Sequence, residues 1–385
     1  MLDFSFFNPT RIVLGRGKIA TLAERIAPDA RVLVLYGGGS AGRNGVLDEV
    51  RAALGERRVG EFGGIEPNPV YETLLDAGAR VRECGADFLL AVGGGSIIDG
   101  CKFVAAAARY DGDPWEILTR RGQTIATALP FGTVLTLPAT GSEMNSGAVI
   151  TRRSLQAKLS FKSERVFPQF SILDPEKTFS LPPRQVANGV VDTFVHVLEQ
   201  YLTYPVGATV QDRLAEGLLL TLVEAGPRAL SEPADYDVRA NLMWCAALAL
   251  NGLLACGVPR DWATHMLGHE LTAVHGIDHA RTLAVVLPAM LRVRREEKRD
   301  KLLQYGARVW GLVDGDDASR LDATIARTEA FFEALGMPTR LAAYDIGEAE
   351  LDVLIAKLEE HDMVALGEHG TVTPDVSRRV FQDAL

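Results

Sequence analysis

Twice in its first hundred residues the chain runs a short apolar stretch straight into Gly-Gly-Gly-Ser. Residues 32–36 (VLVLY) precede Gly37, Gly38, Gly39 and Ser40, and residues 88–92 (FLLAV) precede Gly93, Gly94, Gly95 and Ser96. An unbroken apolar run of this length, closed by glycine, is the pattern of a strand buried on both faces. The glycines then let the backbone turn sharply into the next element. Between the two runs, residues 70–84 (VYETLLDAGARVREC) carry apolar side chains at helical spacing. Strand, glycine turn and helix in alternation predict an α/β domain with a mostly parallel sheet. Residues 133–137 and 170–173 add strands, and residues 4–7 and 11–14 suggest an opening hairpin around Asn8 and Pro9.

The pattern changes near Leu181, Pro182 and Pro183, beyond which the chain is rich in Ala, Leu and Glu at helical spacing. Paired prolines suit a hinge or a first helical turn. The reading is therefore an α/β dinucleotide-binding domain over 1–180 and an all-helical domain over 181–385, a division that 385 residues comfortably support. The charge run 292–301 (RVRREEKRDK) interleaves acids with bases and is expected to be a solvated helix face.

Composition excludes several classes. With 40 basic and 50 acidic side chains the net charge is −10, which opposes a nonspecific grip on nucleic acid or anionic lipid. Cys84, Cys101, Cys245 and Cys256 are scattered, without a CxxC pair, and read as buried thiols in a reducing compartment. The N-terminal residues lack the pattern of a secretory signal, and no apolar run is long enough to span a membrane. A cytoplasmic enzyme is the expectation.

The turn Gly93 to Ser96, followed by Asp99 and Lys102, can aim helix N-terminal N–H groups at a phosphate, although it fits neither GxGxxG nor the P-loop pattern. A sharp turn that binds nothing is the alternative. The segment 136–143 (TLPATGSE) offers hydroxyls that suit either a cofactor or a helix cap.

Seven histidines occur in all, and five fall in the helical half within two short segments. Asp192 and His196 stand four apart, as do His265 and His269, so each pair shares a helix face; His275 and His279 follow. One carboxylate and several imidazoles are the ligand types that borderline divalent metals prefer. His269 and Glu270 do not continue into HExxH, which removes the zincin reading. His361 and His369 stand apart and are read as ordinary residues.

Taken together, GGGSxxDxxK, TGSE, the DxxxH pair and HxxxH with a later histidine resemble the iron-containing (group III) alcohol dehydrogenase family. The resemblance spans essentially the whole chain. It is nearest to an NADPH-dependent branch of broad-specificity aldehyde reductases and butanol dehydrogenases, on phrases such as 62–69 (FGGIEPNP) and 185–192 (QVANGVVD). It implies one divalent metal ion, Fe²⁺ or Zn²⁺, held by Asp192, His196, His265 and His279, with His269 beside the substrate. It places Gly94, Gly95 and Ser96 at the pyrophosphate with Asp99 beside them. Asn68, Thr136, Thr140, Asn145 and Lys158 then line the cofactor. The segment before GSE departs from the family's threonine-rich pattern at Leu137, Pro138 and Ala139.

The activity so implied is reversible hydride transfer between NADP(H) and a short-chain aldehyde or primary alcohol, in a homodimer, with the site in the cleft between domains. NAD-selective sites place an acid after a strand to hold the ribose 2′-OH. Here Gly38, Gly39 and Ser40 are expected to leave room instead, with Arg43 supplying positive charge for a 2′-phosphate; a tight turn with Arg43 in solvent is the alternative. Two other classes remain: a dehydroquinate synthase-like lyase, which needs a more basic pocket, and a catalytically silent nucleotide-binding protein, which has no need of four ligands.

Overall fold

The computed structural model describes residues 1–385, with the side chain of Ser40 outside the described residues. The chain forms two compact units. One comprises Phe7–Pro182 with Pro233–Asn251, the other Met1–Phe6, Pro183–Glu232 and Gly252–Leu385.

The first unit is built on six parallel strands, β1 (Arg11–Leu14), β2 (Val32–Gly37), β3 (Arg58–Ile65), β4 (Phe88–Gly94), β5 (Phe131–Leu137) and β8 (Phe170–Leu173), in the order β1-β8-β5-β4-β2-β3. A separate antiparallel pair joins β6 (Gly147–Arg152) to β7 (Ala157–Lys162). The helices α1 (Ser40–Arg43), α2 (Val46–Leu54), α3 (Tyr71–Cys84), α4 (Gly95–Ala107) and α5 (Glu116–Thr119) belong to this unit. The central strands β4 and β5 are buried along almost their whole length, as their unbroken apolar runs require. Apolar cores cover both faces: Leu33, Leu35, Leu89 and Ala91 face one, and Val32, Val34, Leu90 and Val92 face the other.

The second unit is helical. It holds α6 (Pro183–Tyr201) and α7 (Thr209–Ser231), while α8 (Tyr236–Ala249) lies with the α/β unit. The helical unit resumes with α9 (Ala263–His275), α10 (His279–Val293), α11 (Arg299–Val309), α12 (Asp317–Ala334), α13 (Leu351–Glu360) and α14 (Pro374–Asp383). Pro183 opens α6, where a proline lacks nothing the first turn would use. From Val186 onward every side chain of α6 is buried, and it packs on α7 and α10, so its polar residues must be satisfied inside the unit.

Two expectations are corrected. The opening hairpin does not form: β1 pairs in parallel with β8, and residues 1–10 carry no strand. Pro9 has no N–H to give a ladder, and the Asn8 amide donates instead to the carbonyls of Met144 (2.8 Å) and Asn251 (2.9 Å). The charge run 292–301 is not a solvated helix face. It spans the connection from α10 to α11, and Arg294, Lys298 and Lys301 are all buried. Each has a partner that composition could not reveal: Thr371 for Arg294, Asp261 and Glu368 for Lys298, and Asp212 for Lys301. None of the four cysteines forms a disulfide; Cys84 is half-buried and the rest are buried. No helix among the described residues is long and apolar enough to cross a membrane.

Candidate metal centre and nucleotide turn

On α6 the spacing of 192, 196 and 199 sets Asp192, His196 and Glu199 on one face. Asp192 Oδ1 lies 3.7 Å from His196 Nδ1, 3.8 Å from His265 Nε2 and 3.8 Å from His279 Nε2. Those separations are too long for hydrogen bonds. They fall within the span of two metal–ligand bonds of about 2.1 Å each. Ligand atoms of Asp192, His265 and His279 all lie within 4.8 Å of one another, and the rings of His196 and His265 stack with centroids 4.5 Å apart.

Buried His196 Nδ1 and His265 Nε2 have no hydrogen-bond partner among the described residues. A buried nitrogen in that condition costs stability unless something else satisfies it. A carboxylate with three imidazoles is a donor set for a borderline divalent cation, so these residues fit such an ion. Burial pulls the His196 pKa down to about 4, leaving a neutral ring. At His265 burial also opposes the charged form, but Glu199 and Asp192 outweigh it and lift the pKa to about 9. That proton must leave before Nε2 can bind a cation.

Glu199 escaped the sequence reading. One carboxylate oxygen pairs with His265 Nδ1 and the other accepts the Thr264 N–H at 2.6 Å, so it fixes both the ring and the start of α9. Its position three residues after His196 was the available signal. His269 lies one turn after His265, buried, with its ring centroid 5.1 Å from that of His279. Like His196, it is not among the three residues whose ligand atoms lie within 4.8 Å of one another. His275, the last residue of α9, stands apart from that cluster, and burial lowers its pKa.

In the α/β unit, β4 ends at Gly94 and α4 begins at Gly95, with no side chain capping the helix. Its first-turn N–H groups therefore suit an anion. A Cβ at Gly95 would lie 2.2 Å from Thr140 Oγ1, 2.7 Å from its Cγ2 and 3.0 Å from its Cβ, so rotating Thr140 cannot clear it. Gly95→Ala is expected to cost about 1–3 kcal/mol by overpacking, measured by denaturant unfolding; an unchanged midpoint would refute the close approach.

Ser96 Oγ accepts the Asn68 N–H (3.3 Å), and Asn68 Oδ1 accepts from Lys158 Nζ (3.1 Å), which joins three of the expected cofactor residues. Thr136 is buried near the end of β5. Asp99 and Asn145 turn inward. The Asp99 carboxylate accepts from Ser142 Oγ and from the Val149 N–H (2.8 Å). Asn145 accepts from Lys102 and from the Gly147 N–H, and it donates to the Gly141 carbonyl. Lys102, unassigned in sequence, is the hub: its Nζ donates to Ser142 Oγ (2.7 Å), Asn145 Oδ1 (2.8 Å) and the Gly147 carbonyl (2.7 Å). Burial lowers its pKa to about 8. Gly38 is exposed with open space around it, Gly39 has φ +99°, and Arg43 Nη1 would lie 3.2 Å from a Cβ at Gly39. The Ser40 side chain lies outside the described residues.

Residues 9–175 match the iron-containing alcohol dehydrogenase family, and residues 186–375 match the C-terminal part of the Fe-containing alcohol dehydrogenase family. The NADPH-dependent aldehyde reductase YqhD of Escherichia coli (strain K12) is 59% identical over 386 residues, covering 100% of both chains. A probable NADH-dependent butanol dehydrogenase of Bacillus subtilis (strain 168) is 43% identical, covering 93% of each. The crystal structure of E. coli K-12 YqhD superposes with a TM-score of 0.99 at 58% identity, covering 100% of this chain and 99% of that one. Both halves of the sequence, the parallel sheet with its glycine turn and the histidine-bearing helices thus have the same counterpart, and the chain belongs to the iron-containing alcohol dehydrogenase family.

Proposed function

We infer that the protein is a metal-dependent NADP(H) alcohol dehydrogenase or aldehyde reductase, acting reversibly on a short-chain aldehyde or primary alcohol. The observation that carries this reading is the gathering of Asp192, His265 and His279, with His196 against the same carboxylate oxygen. The 59% identical NADPH-dependent aldehyde reductase supports it. Family membership and the four assembled residues favour it over a dehydroquinate synthase-like lyase or a silent nucleotide-binding protein.

We assign residues 1–180 to dinucleotide binding and 181–385 to the metal and catalysis. Asp192, His196, His265 and His279 would hold one Fe²⁺ or Zn²⁺ ion. When bound, the ion supplies Lewis acidity at the carbonyl oxygen and the nicotinamide supplies the hydride. The Gly94–Gly95 backbone and Ser96 receive the pyrophosphate at the start of α4. Asn68, Lys158, Thr136 and Thr140 line the cofactor, while Asp99 and Asn145 shape its loop from within. Gly38, Gly39, Ser40 and Arg43 take the adenosine 2′-phosphate. Glu199 keeps its partner proton on His265 Nδ1, which leaves Nε2 turned toward Asp192. His269 delivers a proton from a ring nitrogen to the oxygen of the nascent alcohol.

His269→Ala is expected to retain metal while kcat falls about a hundredfold. Metal loss equal to that of His265→Ala would overturn this division of roles. The activity itself is tested by mixing the purified protein with NADPH and butanal, before and after chelation and on return of Fe²⁺ or Zn²⁺. NADPH consumption that chelation leaves unchanged would sink the metal-dependent reading.

The proposed setting is cytoplasmic and the proposed assembly a homodimer. Phe4, Phe6 and Phe7 are exposed in one short apolar stretch, a surface that a second copy would cover. Light scattering that gives a monomer would refute the dimer.

A further inference from the structure

The connection between α13 and α14 reaches α9 directly at one point and through Lys298 and Asp261 at a second. At the first, His361 Nδ1 meets Glu270 Oε1 at 2.8 Å. Glu270 directly follows His269, is almost wholly buried, and its Oε2 has no hydrogen-bond partner among the described residues. At the second, Glu368 binds Lys298 Nζ (2.9 Å), which also binds Asp261 Oδ2 (2.6 Å) and the Leu202 carbonyl (2.7 Å). All three charged side chains of that cluster are buried.

Asp261 is the link to the metal centre. Its Oδ1 accepts the Ala263 N–H at 2.9 Å, at the first residue of α9. Between them Trp262 is held at φ +63°, a conformation that an indole side chain keeps only where its surroundings enforce it. The Trp262 ring lies 5.5 Å from the His265 ring and 6.2 Å from the His196 ring, centroid to centroid. The connection is itself closed by paired backbone bonds between Leu366 and Val372, 3.0 Å each.

We propose that residues 361–368 are a clasp that positions α9, with His361 and Glu368 as positioning residues for the metal ligand His265 and for His269. The proposal rests on the reading of α9 as the ligand-bearing helix. Without His361, buried Glu270 keeps an uncompensated carboxylate, and rotation of α9 toward water is the readiest relief. Such a rotation displaces His265 and His269 together. Without Glu368, Lys298 loses one of the acids that fix it against Asp261, and the Trp262 turn loosens where it meets both imidazoles.

The test uses the full chain, stripped with a chelator and titrated with Co²⁺ while visible absorption is followed. His361→Ala and Glu368→Ala are each expected to weaken Co²⁺ binding about tenfold and to change its spectrum, the low end for partners outside the ligand shell. His361→Gln and Glu368→Gln keep a hydrogen-bonding group in place and are expected to stay within about twofold of wild type. Burial and Asp261 raise the Glu368 pKa, and Gln keeps a side-chain oxygen that can accept from Lys298 Nζ. Arg308→Gln removes a more exposed ion pair, to buried Glu216 on α7, and serves as the control for losing an ion pair elsewhere in the helical unit. The proposal is overturned if the alanine variants bind Co²⁺ as wild type does, or if Arg308→Gln weakens binding as much as they do. Equal Co²⁺ affinity in wild type and His265→Ala would instead overturn the metal reading and the clasp with it.

Discussion

His265→Ala is expected to lose its metal and to lower kcat by roughly a thousandfold or more, while NADPH still binds with an affinity within about twofold of wild type. The size follows from what the side chain does at both ends. Its Nε2 is one of the nitrogens gathered around Asp192 Oδ1, so one of the four proposed ligands disappears. Its Nδ1 is the partner of Glu199, so the change also strands a buried carboxylate beside the start of α9. Lewis-acid stabilisation of a carbonyl oxygen is worth several kcal/mol, and about 4 kcal/mol is already a thousandfold in rate. The glycine turn at Gly94 and Gly95, the proposed pyrophosphate site, belongs to the α/β unit, so cofactor binding should survive. Metal content by elemental analysis, kcat, and NADPH fluorescence titration check the three parts. A variant with both normal metal content and near-normal turnover would show that the ligand assignment is wrong.

How much of this could be seen in the sequence depended on whether the signal was local. Strands β2 and β4 were legible because a parallel strand covered on both faces has no polar alternation to confuse the reading, and glycine marks its end. Asp192, His196, His265 and His279 stood out because histidine is scarce here and imidazoles at helical spacing are costly to bury without purpose. The same locality misled at the N-terminus, where two short apolar runs around Asn8 and Pro9 mimic a hairpin. The true partner of Arg11 is Phe170, which no local pattern discloses.

The charge run 292–301 failed for a related reason. Interleaved acids and bases do describe a solvated helix, but Lys298 meets Asp261 and Glu368, which lie 37 and 70 positions away. His361, read as ordinary, meets Glu270 across 91 positions. Buried ion pairs between distant elements leave no periodicity to read, because each partner appears alone in its own segment as an unremarkable polar residue. Glu199 is different: it shares a helix face with Asp192 and His196, and counting that face three residues further would have found it.

Gly38→Asp is expected to shift the ratio of kcat/KM for NADPH over NADH by about tenfold to a few hundredfold toward NADH. Relatives named as NADPH-dependent and as NADH-dependent match this chain at 59% and 43% identity, so both cofactor choices occur on one framework. The end of β2 is the place where such a choice is made in a dinucleotide site, since an acid there pairs with the ribose 2′-OH. Position 38 suits the test because a Cβ there meets nothing within 4 Å and needs no left-handed backbone, so the change adds charge without strain. Gly39, at φ +99°, would not offer that freedom.

A carboxylate about 4 Å from a phosphate is repelled by about 1 kcal/mol in full solvent and about 4 kcal/mol near a protein surface, limits that bracket the expected shift. Salt should narrow the shift, because Gly38 is exposed and screening acts on exposed charge. Arg43 supplies the opposite half of the argument. Its guanidinium lies over the Gly39 backbone, and Arg43→Ala should weaken NADPH while leaving NADH nearly unchanged, since only the 2′-phosphate gains from that charge. An NADH preference in the wild type would refute the assignment of this turn to the 2′-phosphate. So would a Gly38→Asp variant whose preference does not move.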